Sequence, residues 1–157
     1  MKKGDLLVLF LICFLFISCD SEEHKYEELF TENYKDLSSI QNYIEHKINS
    51  MKNDSNKNVI LFVTKPQYGP RNNFIYDKYL SLKMHELNIK QIRCVTTQSG
   101  MCGLFDNVQF QLNSSDYPPD QVVYFVFNKC SDLKNFKSNT IFQKKLNKKW
   151  GLLIDRS

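Results

Sequence analysis

From Tyr26 to Met51 the apolar residues Tyr26, Leu29, Phe30, Leu37, Ile40, Ile44, Ile48 and Met51 recur mostly at three- and four-residue steps. Polar residues fill the gaps, and no proline interrupts the run. That spacing predicts an amphipathic helix over 25–51, closed by Asn53-Asp54-Ser55-Asn56. Val59-Ile60-Leu61-Phe62-Val63 then gives a short, β-branched apolar run, read as a buried strand. A second helix is predicted from Asn73 to about Leu87, with Ile75, Tyr79 and Leu82 on one stripe. The period changes from residue 89 onward. Ile89–Val95 reads as a strand, and Val108, Phe110 and Leu112 alternate with Asn107, Gln109, Gln111 and Asn113 as a half-buried strand does. Val122–Phe127 reads as a central strand. Residues 140–146 suit either a helix turn or a strand, and Asn147-Lys148 followed by alternating Trp150, Leu152 and Ile154 favours a hairpin.

The order helix, strand, helix, strands predicts an α+β domain. Its N-terminal helices pack on a mostly antiparallel sheet of about five to six strands. Such a sheet buries one face and can leave the other wet.

The first 19 residues follow a different pattern. Lys2 and Lys3 precede a 12-residue apolar core over residues 6–17. A spanning helix needs about 20 such residues, so this core has the length of a signal-peptide h-region. Ser18 and Cys19 follow at once. Phe16-Ile17-Ser18-Cys19 resembles the lipobox of bacterial lipoproteins, with Ser18 fitting the pattern and Phe16 standing where the family usually has leucine. The resemblance implies cleavage of leader 1–18 and acylation of Cys19, followed by a short tether over 19–24; the length that remains fits one globular domain over 25–157. It also implies a cell-envelope location, with no indication of which membrane. Several acyl chains on one residue give stable anchoring, whereas one chain holds only marginally.

The chain carries eighteen lysines, three arginines and only five glycines. The lysine excess disfavours bidentate base or phosphate readout, and so a nucleic-acid partner. The glycine count leaves little room for a phosphate cradle. Residues 20–36 hold seven acids and two lysines, whereas 129–157 hold eight basic residues against Asp132 and Asp155. Either stretch can be a solvated face. The sharper reading makes Lys144, Lys145, Lys148 and Lys149 a basic surface for an acidic partner.

Three cysteines remain beyond the leader and Cys19. If the strands near 107–113 and 121–129 form a hairpin, Cys102 and Cys130 fall at the same end of the sheet. A Cys102–Cys130 disulfide is therefore expected, contributing about 3.5 kcal/mol in the chain-entropy model. Cys94, inside an apolar strand, is expected to be a buried thiol. Cysteine spacings of eight and 28 do not suit a metal site, and neither metal nor cofactor is expected.

No catalytic constellation emerges. His24, His46 and His85 have no partner at a telling spacing. Ser99-Gly100-Met101-Cys102-Gly103 lacks the spacing of a nucleophile elbow. Val59–Val63, then Pro66-Gln67-Tyr68-Gly69-Pro70-Arg71, then a helix, resembles the start of a thioredoxin-like domain. Tyr68 and Arg71 stand at the two cysteine positions, so the likeness implies a degenerate domain without redox activity.

The leading expectation is a non-enzymatic, membrane-tethered domain that binds an envelope or extracellular protein, with a toxin-neutralising immunity role as a special case. The alternative is an envelope enzyme using Cys102 or His85.

Overall fold

The computed structural model describes residues 22–50, 59–66, 74–95, 107–113, 121–130 and 133–156. The chain divides into two compact units, 1–32 and 33–157. Helix α1, Glu22–Ser50, starts in the first and continues through the second. Its opening turns bury Tyr26 and Phe30, and the Thr31 hydroxyl donates to the Glu27 carbonyl at 2.8 Å.

In the second unit α1 buries Leu37, Ile40, Ile44 and Ile48, the stripe that the periodicity predicts. After it come β1 (Val59–Val63), β2 (Phe74–Tyr76), α2 (Lys78–Glu86), β3 (Ile89–Val95), β4 (Asn107–Leu112) and β5 (Val122–Asn128). The chain then forms β6 (Phe136–Lys137), β7 (Ile141–Lys145) and β8 (Trp150–Asp155). The described strands make one sheet in the order β2-β1-β3-β4-β5-β8-β7-β6. Among the described strands only β1 and β2 run parallel, and the other pairs are antiparallel.

The α+β class holds, but the sheet has eight strands, not the expected five to six. The two extra strands are short edges that carry no alternation of their own. Phe74-Ile75-Tyr76 was expected to open the second helix. These β-branched and aromatic residues instead pair with β1, through Leu61↔Phe74 and Val63↔Tyr76. Asp77 then caps α2 by accepting from the Leu80 amide at 3.0 Å. Starting the helix at Lys78 rotates its buried stripe: Leu80 and Met84 are inside, and Leu82 is 58% exposed. Asn88, at φ 53°, turns the chain out of α2 into β3, a conformation asparagine tolerates better than most residues.

Register explains the core. Ile60, Cys94, Val108, Phe127 and Trp150 form one cross-strand row, and Phe62, Ile92, Phe110, Phe125 and Leu152 form the next. Both rows lie on one face. Trp150 sits 5.4 Å from Phe110 and 5.3 Å from Phe127, ring centre to ring centre, and meets Tyr34 of α1 edge-on at 6.4 Å.

Candidate functional site

The period-2 alternation that builds this core assigns the other face a different set of side chains. One row there runs Leu61, Arg93, Gln109, Val126, Gly151, Lys145. The next runs Val63, Gln91, Gln111, Tyr124, Leu153, Gln143 and ends on Phe136 of the edge strand. Gln91 donates to the Gln111 side-chain oxygen at 2.6 Å, which fixes two amides into the face. Arg93 is exposed, and Gln109, Tyr124 and Leu153 are half-buried. Burial pushes the Tyr124 phenol up; the nearby Asp155 carboxylate adds to that, and Arg93 opposes it. This face therefore mixes polar, aromatic and charged groups on a hydrogen-bonded scaffold, with Val63, Gln111 and Val126 buried within it and Leu133 lying over Gly151.

At the β6–β8 edge the polar face turns apolar and basic. Phe136 is 55% exposed and Ile141 37%. Both belong to the face of Gln143, Phe136 by cross-strand pairing and Ile141 by its spacing of two. The segment is well braced. The Ser138 amide donates to the Ile141 carbonyl at 2.7 Å, the Gln143 amide side chain to the Lys134 carbonyl at 2.7 Å, and the Lys145 amide to Asn135 Oδ1 at 2.7 Å.

The four lysines singled out in the sequence do not form one surface. Lys145 is exposed and shares the Phe136 face, while Lys144 lies opposite Leu152 on the helix-covered face. Lys148 is exposed in the β7–β8 turn. Lys149 serves the fold. Its ammonium donates to the Lys129 carbonyl at 2.7 Å, and Lys129 in turn pairs with Glu45 of α1. Asn147 Oδ1 closes that turn by accepting from the Lys149 and Trp150 amides at 2.9 and 3.0 Å.

Of the cysteines, Cys94 is a free thiol with no exposed surface, and burial pushes its pKa up, which makes it a poor nucleophile. Cys130 is disulfide-bonded. Cys102 and Cys19 lie outside the described residues, as do the Tyr68–Arg71 segment and the Ser99–Gly103 loop. His46 and His85 are exposed; His24 is exposed and lies 3.4 Å from Glu28. Among the described residues no three His, Cys, Asp or Glu side chains gather as a metal site would need. No helix among them is long and apolar enough to cross a membrane.

One polar cluster is not visible in the sequence. The Asp77 carboxylate, with 9% of its side chain exposed, accepts from Tyr43 at 3.1 Å and from Lys47, both on α1, while capping α2. Tyr43 also leans on Tyr79 at 4.7 Å. An aspartate directly ahead of a helix signals the cap, but nothing local signals partners 30 and 34 residues away. With both carboxylate oxygens bonded to structural donors, this cluster ties α1 to α2.

No known family, no curated protein and no solved structure matches the chain.

Proposed function

We propose that this chain is a lipid-anchored envelope protein whose domain binds another protein and performs no catalysis. The anchor rests on the lipobox-like Phe16–Cys19 and on the preceding apolar core of residues 6–17. The binding reading rests on one observation. A sheet covered by α1 on one face presents on the other a braced row of Gln91, Gln111, Tyr124, Leu153, Gln143 and Phe136 that ends among exposed lysines. Preformed, rigid faces of this kind bind with little ordering cost. Neutralising an incoming toxin at the envelope is a special case of the same role.

The test is brief cross-linking in cells, followed by purification of the intact protein from detergent-solubilised envelope. The reading predicts one dominant partner at fixed stoichiometry. Charge reversal at Lys145 and Lys148 should cut its recovery several-fold; Lys149 is left alone because it supports the fold. Absence of any reproducible partner would overturn the binding reading.

A further inference from the structure

Resting on that binding reading, we propose that its energetic centre is the apolar pair Phe136 and Ile141 at the β6–β7 edge, and that the partner there is a protein surface offering an apolar side chain flanked on one side by acidic groups. Three observations carry this. Phe136 and Ile141 are exposed on the same face, and the row from Phe136 continues without a break into Gln143, Leu153 and Tyr124. A central aromatic with an aliphatic neighbour and a polar surround is the anatomy of an interface hot spot.

The second observation is charge. Residues 133–150 contain Lys134, Lys137, Lys144, Lys145, Lys148 and Lys149 and no acid. Lys134 and Lys145 are exposed beside the pair, Lys145 being two residues beyond Gln143 on the Phe136 face. Lys137 is directed elsewhere, its ammonium 6.0 Å from the Phe142 ring centre. Among the described residues of this face the one acid, Asp155, pairs with Ile141 at the opposite end from Lys145. The patch is thus basic at one end and mildly acidic at the other, which selects an acidic partner and also its orientation.

The third observation separates a protein from a lipid surface. The tip of the β6–β7 turn is Ser138-Asn139-Thr140, all polar. Insertion into a bilayer wants aromatic or aliphatic side chains at a tip. Here the apolar pair lies beside that tip on the face of the edge strands, braced through Ser138, Gln143 and Asn135. A hydrogen-bonded apolar centre beside a polar tip suits a complementary protein face.

The experiment places p-benzoylphenylalanine singly at positions 136, 93 and 82 of the full chain in cells. Position 93 reports the far end of the polar face. Position 82, on α2 and 58% exposed, reports general accessibility. The expected result is a discrete protein adduct from position 136 and none from 82. The cross-linked partner peptide should carry net negative charge, and Lys134→Glu with Lys145→Glu should reduce adduct yield at least fivefold. Thermal unfolding followed by Trp150 fluorescence shows that the doubly reversed chain is folded. A protein adduct from position 93 but not 136 overturns this site while leaving the binding reading standing. Lipid adducts only, a neutral or basic partner peptide, or yield indifferent to charge reversal overturns the proposal. No adduct from 136 or 93 overturns both.

Discussion

The phenol of Tyr43 donates to the carboxylate of Asp77 at 3.1 Å, joining the middle of α1 to the N-cap of α2 across 34 residues of chain. Lys47, one helical turn after Tyr43, binds the same oxygen. Burial works against the charged carboxylate. The bonds from Lys47, the Leu80 amide and Tyr43, with the Lys47 charge, outweigh it and hold Asp77 below its ordinary 3.8. The stability this contributes is fully present above pH 3.8 and is lost as pH falls through the lower folded value.

Asp77→Asn keeps a capping side chain but removes the charge. It should destabilise the domain at pH 7, and the gap to the parent chain should close as the pH falls below 3.8 and through the lowered folded value. Asp77→Ala should cost about 1 kcal/mol more through the lost cap. Tyr43→Phe should cost about 1 kcal/mol, the net worth of one hydrogen bond. Urea unfolding across pH, followed by the single tryptophan, measures all three. A gap between parent and Asp77→Asn that stays constant from neutral to acid pH would contradict the assignment.

Gly151 is the point where β8 passes under Leu133. A Cβ there would lie 2.9 Å from Leu133 Cδ1 and 3.1 Å from the Lys144 carbonyl oxygen. The leucine tip can shift, whereas the backbone carbonyl cannot do so cheaply. Gly151→Ala should therefore destabilise by roughly 1–3 kcal/mol, as overpacking does. Combined with Leu133→Ala it should cost less than the sum of the two single changes, because the second removes part of the clash. Strict additivity in a double-mutant cycle would show that the two side chains do not compete for this space.

Cys94 should resist iodoacetamide in the native state and react only when the chain unfolds, since burial both hides the thiol and disfavours the thiolate. Non-reducing peptide mapping should join Cys130 to Cys102, the pairing that the hairpin reading proposes. Reduction of that bridge should cost about 3.5 kcal/mol in the chain-entropy model. Rapid native-state alkylation of Cys94, or a different partner for Cys130, would contradict this arrangement.

Long periodic segments were legible from residue order alone. The helix expected over 25–51 lies at Glu22–Ser50, and β1 and β3 have the bounds that their apolar runs suggest. β4, β5 and the β7–β8 hairpin follow their alternation and the Asn147 turn. What escaped has a common cause: it depends on partners distant in sequence. β2 and β6 are strands of three and two residues, too short to show a period, and exist because β1 and β7 lie beside them. Taking 73–87 as one helix misassigned its stripe, because the helix begins only after Asp77. The lysine cluster was visible as charge. Its division between Lys149, tied to Lys129, and Lys145, exposed beside Phe136, follows from register and turn geometry. Phe136 itself stood among polar residues with nothing local to mark it.

The proposed lipid on Cys19 is the premise on which the envelope location rests, and the mass of the N-terminal peptide tests it most directly. Mature protein isolated from membranes should yield a peptide beginning at Cys19, heavier than its sequence by a lipid with two or three fatty acyl chains. Cys19→Ser should abolish both the added mass and retention in the membrane fraction. A peptide beginning elsewhere, or Cys19 present as an unmodified thiol, would contradict the account.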